Sequence, residues 1–312
     1  DGSFLNLQDN QEISFLDKLI TGTDVNYKEL EKGEIKLPVS RTLYLNTILG
    51  KLKSTAITKN ETYKTIVNSL NKEQLEEMYK AMQEKSKEIR LPKINANLRY
   101  YQKTGFKWLK TLDEYKFGGI LADDMGLGKT VQVLSIILDY IQNNKEKQTS
   151  LVIAPSSLTL NWKNETEKFA PTLKTLVIRG TLSERKKLIE TLQDYDLVIT
   201  SYDLLKRDIE NYKQKDYKFK YIIADEAQYL KNSTTQNAKA IKDLKAQTRY
   251  ALTGTPIENS LAELWSIFDF IMPGYLYTYK KFKTMYEIPI VTEEDESSMQ
   301  KLKMLIEPFV LR

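Results

Sequence analysis

Residues 117–141 read FGGILADDMGLGKTVQVLSIILDYI. A short apolar run (117–122) gives way to a turn holding two glycines, and the turn opens a second, longer apolar stretch. The first run shows no polar alternation, which fits a strand covered on both faces. The second, VQVLSIILDYI (131–141), carries Gln132 and Asp139 among its apolar residues. It is too short and too polar to cross a bilayer and reads as a buried helix. Strand, glycine turn and buried helix in succession point to an α/β protein.

The same rhythm repeats downstream. LVIAP (151–155), TLVIRG (175–180), DLVITS (196–201), YIIAD (221–225) and RYALTG (249–254) are short apolar runs, each ending in turn residues and each followed by a helical stretch. The expectation is a doubly wound, mainly parallel sheet with functional residues at the carboxyl ends of its strands. Residues 1–90 differ. They are polar, and SFLDKLI (14–20) and NKEQLEEMYKAMQEKSKEI (71–89) have helical spacing, with Asn71 placed to cap the second. Leu75, Met78, Met82 and Ile89 form one stripe, read as a packing face. The chain therefore divides into a helix-rich segment (1–90) and an α/β lobe (91–312). The stretch 50–60 is expected to be a loop, and the acidic TEEDESS (292–298) a mobile one.

The 312 residues contain no Cys and no His. That excludes disulfides, Cys-based zinc sites, Cys nucleophiles and imidazole bases. Catalysis would have to use carboxylates, Lys, Arg, Tyr or hydroxyls with a hard metal. The net charge of +5 permits a polyanionic partner without requiring one. There is no signal peptide, and nothing points to a membrane or to a homo-oligomer. Beginning at Asp1 without Met, the chain is expected to be a piece of a longer protein.

Two stretches carry chemistry. In ADDMGLGKT (122–130), Gly126 and Gly128 allow backbone N–H groups to wrap an anion with no Cβ in the way. The helix that follows adds its dipole. Lys129 supplies charge for β and γ phosphates, and Thr130 a hydroxyl for Mg²⁺. Asp123 stands where the general G-x-x-x-x-G-K-[ST] pattern has its first glycine. In DEAQYLKN (225–232), two carboxylates follow an apolar run. Asp225 is placed to hold the metal, through water, since Mg²⁺ keeps much of its hydration. Glu226 is placed to orient and deprotonate an attacking water.

With these in order, the chain resembles the first RecA-like lobe of a Swi/Snf-type ATPase of helicase superfamily two. The resemblance rests on LRYYQKTGFKWL (98–109), DDMGLGKT (123–130), LVIAPSSLTLNWKNE (151–165), VITSYDLL (198–205), DEAQYLKN (225–232), LTGTPIENS (252–260) and EPFVLR (307–312). The DEAQ form and the leading DGSFLNL (1–7) resemble bacterial members that carry a helicase-associated region ahead of the motor. The resemblance implies ATP and Mg²⁺ as cofactors. ATP is then held by Gln102 at the adenine edge and by Met125, Gly126, Leu127, Gly128, Lys129 and Thr130. The family's usual Leu-Arg-Pro-Tyr-Gln has Tyr100 in place of Pro. The resemblance also implies coupling through Gln228, Thr253, Gly254, Thr255 and Asn259. It implies contact with the phosphate backbone of duplex DNA, independent of sequence, through Pro155, Ser156, Ser157, Thr200 and Ser201.

Trp162 could be mistaken for a base-stacking residue, but its place on the helix after the loop favours core packing. The Lys-rich stretch 206–220 is open to two readings, a DNA-facing insertion or a solvated helix and hairpin. KKFK (280–283) is open in the same way. Motors of this kind work with a second RecA-like lobe, which supplies an arginine finger. The expectation is a nucleotide-binding lobe of a double-stranded DNA translocase that remodels protein–DNA complexes in the bacterial cytoplasm, associated with the nucleoid. On its own it would bind Mg·ATP and hydrolyse it poorly. The alternatives are a non-motor regulatory or docking module and a strand-separating helicase.

Overall fold

A computed structural model describes residues 89–124, 126–233, 235–254 and 260–312. The helices expected at 14–20 and 71–89, the capping by Asn71 and the loop at 50–60 lie outside the described residues, apart from Ile89 at the edge of the second helix.

The glycine turn does join a strand to a helix. β1 (Gly119–Leu121) leads to α2 (Lys129–Asn143), and α1 (Tyr100–Glu114) precedes them. The remaining elements alternate. They are β2 (Ser150–Ala154), α3 (Thr159–Phe169), β3 (Thr175–Val177), α4 (Leu182–Glu190), β4 (Leu197–Ser201), α5 (Tyr202–Gln214), β5 (Lys218–Ala224), α6 (Gln236–Lys242), β6 (Lys245–Leu252) and α7 (Leu261–Ile271). A helical stretch of three short pieces (Tyr279–Phe282, Lys283–Glu287, Ile288–Thr292) and α8 (Glu296–Ile306) lead to β7 (Val310–Leu311).

The seven strands of the described residues form one sheet in the order β3-β4-β2-β5-β6-β1-β7, and every pairing is parallel. Strands β1, β2 and β4 are buried along their whole length, as expected of a sheet covered on both faces. The apolar core runs from Phe106 and Leu109 through Ile136, Val152, Ile199, Ile223 and Leu252 to Phe268 and Phe309.

Gly118 shows how tightly the strand is seated. A Cβ there would lie 2.5 Å from the Ile271 carbonyl oxygen and 2.6 Å from that of Arg249. Both are backbone atoms, so neither can swing aside. Gly118→Ala is expected to cost about 1–3 kcal/mol. It would appear as a lower urea midpoint at unchanged m-value.

Three sequence expectations change. The terminal EPFVLR contributes an unforeseen strand, with Val310 and Leu311 pairing with Ile120 and Leu121. The stretch 206–220 keeps the solvated helix of the second reading, as the end of α5, but not the hairpin: it enters β5 in the middle of the sheet. There Lys220 is buried, its Nζ 2.7 Å from Asp113 Oδ1 and facing the Tyr140 and Tyr221 rings. The acidic 292–298 stretch is not a plain loop. Asp295 accepts from the backbone N–H groups of Ser297 and Ser298 and so caps α8, which begins at Glu296.

Candidate functional site

Three neighbouring strands, β5, β6 and β1, carry the chemistry at their carboxyl ends. Register brings these ends level. Ala224 pairs with Ala251, and Leu252 pairs with Leu121. Asp225, Thr253 and Ala122 therefore leave the sheet side by side. The Thr253 N–H donates to the Leu121 carbonyl at 3.1 Å, and the Asp225 N–H to the Ile153 carbonyl at 2.8 Å.

In the loop after β1, Gly126 and Gly128 have φ of +82° and +80°, values that L side chains rarely adopt. Among the described residues no side chain caps the start of α2, which makes its first N–H groups available to an outside acceptor. The Lys129 ammonium reaches back to the carbonyls of Asp123 (2.7 Å) and Asp124 (3.3 Å), spanning the loop it would share with an anion. Gln102 is bound to the same loop. Its Nε2 donates to the Leu127 carbonyl at 3.1 Å, while its Oε1 accepts the Arg99 N–H at 2.9 Å. Asp123 is tied down in turn, accepting from Gln132 Nε2 at 3.0 Å.

Asp225 is buried at the end of β5. Burial pushes its carboxyl up from the usual carboxylate range, and the neighbouring Glu226 adds to this. The Trp162 indole N–H, the Glu226 backbone N–H and the Lys129 charge oppose the rise. Trp162 Nε1 donates to Oδ2 at 2.7 Å, and the Glu226 N–H to Oδ1 at 2.9 Å. Glu226 is held in left-handed backbone (φ +49°), a conformation costing roughly 1–3 kcal/mol in a non-glycine residue. Gln228 Nε2 donates to Glu226 Oε2 at 2.7 Å. On its other side Gln228 Oε1 accepts from Thr253 Oγ1 at 3.5 Å. The amide thus bridges the carboxylate and the β6 turn.

Several predicted residues come together here: Gln102, Gly126, Leu127, Gly128, Lys129 and Thr130 around one loop, and Asp225, Glu226, Gln228, Thr253 and Gly254 on the adjoining strand ends. Met125, Thr255 and Asn259 lie outside the described residues. The loop after β2 leaves Ser156 and Ser157 exposed and Pro155 half-buried. The loop after β4 differs from expectation. Thr200 is fully buried, and Ser201 is also buried, its hydroxyl accepting the Leu204 N–H to cap α5. Neither side chain is open to an outside phosphate, because both belong to β4 or to the helix start. Trp162 is buried as expected, but the direct bond to Asp225 was missed. An apolar-looking residue 63 positions from its partner carries no local signal of it.

The fit to a bound nucleotide and cation can be judged from these donors. Positive-φ glycines, an uncapped helix start and a lysine within reach suit a polyphosphate. Among the described residues no three acidic side chains gather into a metal cage. A single carboxylate and a hydroxyl beside substrate phosphates is the arrangement Mg²⁺ commonly takes. The residues fit both groups.

This geometry defines a RecA-like nucleotide-binding lobe. The family model of the SNF2-related domain matches residues 101–312, and one described as bacterial SNF2 helicase associated matches residues 1–80. The chain belongs to the SNF2-related family. It is 46% identical over 216 residues to an uncharacterized ATP-dependent helicase of Mycoplasma genitalium, covering 69% of this chain and 20% of that protein. It is 41% identical over 222 residues to the putative ATP-dependent helicase/translocase YwqA of Bacillus subtilis, covering 71% of this chain and 24% of that one. The SWI2/SNF2 ATPase core of Sulfolobus solfataricus in complex with dsDNA superposes with a TM-score of 0.66 at 44% identity, covering 72% of this chain and 46% of that one. The chain spans about a fifth to a quarter of the length of these two bacterial relatives.

Proposed function

We propose that this chain is the nucleotide-binding lobe of an ATP-driven double-stranded DNA translocase that remodels protein–DNA complexes. The observation that carries the reading is the alignment of three loops on three adjacent strand ends: an anion-wrapping turn, a buried Asp-Glu pair and a threonine turn joined to that pair by Gln228. The likeness to a core solved with duplex DNA supports the choice of partner. Residues 1–90 form the helicase-associated segment and 91–312 the lobe. No helix among the described residues is long and apolar enough to cross a membrane, in keeping with a protein acting on nucleoid DNA in the bacterial cytoplasm.

On this reading Gln102 reads the adenine edge. Gly126, Gly128 and the α2 start wrap the phosphates, with Met125 and Leu127 in the same loop. Lys129 neutralises the β and γ charges. Thr130 and Asp225 would hold Mg²⁺, which when bound would offset the charge of the phosphates. Glu226 takes a proton from water, steered by Gln228. Thr253, Gly254, Thr255 and Asn259 link nucleotide state to grip on DNA. Pro155, Ser156 and Ser157 face the duplex backbone, where small hydroxyls and free N–H groups suit contacts that ignore sequence.

The 312 residues alone are expected to bind Mg·ATP and to hydrolyse it near background. A second RecA-like lobe completes the transition-state charge stabilisation. A steady-state phosphate-release assay checks this, and brisk turnover by this chain alone, stimulated by duplex DNA, would overturn it. With both lobes present, displacement of a third strand from a triplex without strand separation of the duplex is the expected outcome. Separation of the duplex strands would mark an unwinding helicase instead.

A further inference from the structure

The cation-holding carboxylate is fixed by two aromatic side chains that the proposed function does not use. Trp162 donates its indole N–H to Asp225 Oδ2 at 2.7 Å. Tyr202 donates its hydroxyl to the Asp225 backbone carbonyl at 2.8 Å. Both donors are buried, so each bond is shielded from water and worth more than an exposed one. Among the described residues, the other carboxylate oxygen takes the N–H of the next residue. The Asp225 side chain therefore stands where Trp162 holds it.

The origin of the two donors matters more than their strength. Trp162 sits in the first turn of α3, five residues after the exposed Ser157. Tyr202 is the first residue of α5, directly after β4 ends at Ser201. The loop after β2, which faces DNA on the proposed reading, thus passes within a few residues into a helix start whose indole touches Asp225, while the start of α5 holds the Asp225 backbone from a second helix. The short turn at Ser156–Leu158 runs straight into α3, so a displacement at the serines moves the indole with the helix. Tyr202 is further stacked on Tyr229, with ring centroids 5.0 Å apart and planes 6° from parallel. Tyr229 belongs to the DEAQYLKN segment itself and presents 47% of its surface to solvent. The stack ties α5 to the segment carrying Asp225 and Glu226 at a second point.

We infer that Trp162 and Tyr202 are positioning residues through which duplex contact at the loop after β2 is coupled to the metal-holding Asp225: Trp162 carries it, and Tyr202 anchors the backbone it acts on. The inference rests on the proposed function for its two ligands and adds the route between them. By linkage, a duplex that tightens Mg-nucleotide binding by some factor must itself be bound tighter by that factor when the nucleotide is present. Helix packing alone demands no such relation from these two residues.

The test measures that factor in both directions on the intact protein. Anisotropy of a short labelled duplex is titrated with and without Mg²⁺ and a non-hydrolysable ATP analogue. Binding of a fluorescent form of the analogue is titrated with and without duplex. Wild-type coupling is expected within the range of about 5–150-fold typical of allosteric pairs. Trp162→Phe keeps the ring bulk and removes the N–H donor. It should bring the factor towards 1, while duplex affinity without nucleotide stays at the wild-type value. Tyr202→Phe removes a single oxygen, frees the Asp225 backbone against which the indole acts, and should lower the factor too. It decides the matter if Trp162→Phe does not fold. Coupling that persists in the folded variants overturns the inference and leaves the proposed function standing. A wild-type protein that binds both ligands without coupling also overturns the inference alone. A wild-type protein that binds no duplex overturns the proposed function and the inference with it.

Discussion

Glu226→Gln, introduced into this lobe with the second RecA-like lobe and duplex DNA supplied, is expected to lower ATP turnover by a factor on the order of 10²–10⁴, the usual worth of a positioned general base. The substitution is nearly isosteric. The side-chain oxygen that accepts from Gln228 Nε2 survives as an amide oxygen, so the bridge to Thr253 is kept. The Glu226 N–H still donates to Asp225 Oδ1, so the metal-side carboxylate keeps its partner. Only proton acceptance is lost. Mg·ATP affinity should therefore match wild type, giving a protein that binds and does not turn over. Single-turnover hydrolysis beside a nucleotide titration separates the two quantities. Unchanged turnover would remove Glu226 as the base. Loss of binding would show that its role is structural, as a left-handed residue holding the segment's turn.

The parts of this site that were legible in the sequence are those whose signal is local. Gly126, Gly128, Lys129 and Thr130 lie within five residues of one another between an apolar run and a buried helix. Their positions fix both the loop and its place on the sheet. The Asp225–Glu226 pair was readable for the same reason, because β5 delivers it directly. What stayed hidden depends on partners far along the chain. Trp162 on an amphipathic helix looks like packing, and it is packing, yet its one polar atom is spent on Asp225. Thr200 and Ser201 read as loop hydroxyls because apolar runs end softly. The structure carries β4 through Ser201 and buries both. β7 is two residues long, below the length at which alternation or apolarity can be recognised. Lys220 misled for a related reason. Within a run of lysines it looks like a solvated charge, and only the pairing of β5 between β2 and β6 shows that it is enclosed.

That enclosure has a large expected consequence for stability. Asp113, at the end of α1, accepts three hydrogen bonds at once: from Lys220 Nζ at 2.7 Å, Thr248 Oγ1 at 2.9 Å and Tyr221 OH at 2.9 Å. Lys220 and Asp113 side chains are each only 9% exposed. Asp113→Ala leaves a buried ammonium with no carboxylate, facing Gln247 Oε1 at 3.3 Å and the Tyr140 and Tyr221 rings, and removes the acceptor of two hydroxyls. Removing one member of a buried ion pair typically costs about 3–5 kcal/mol, against a total stability of roughly 5–15 kcal/mol for a whole domain. A large drop in the urea midpoint is expected. The distant strand ends that carry Lys129 and Asp225 should still bind nucleotide while the lobe remains folded. Asp113→Asn keeps an acceptor oxygen and should cost less. The sharper check is the double variant Asp113→Ala with Lys220→Met, which removes both charges. Most of the loss should return, because the penalty in the single variant comes from the stranded charge rather than from the missing bond. If the double variant is no more stable than Asp113→Ala, the buried charge is not the cause. The cost would then lie in the two hydroxyls of Tyr221 and Thr248, left without the carboxylate that joins α1 to β5 and β6.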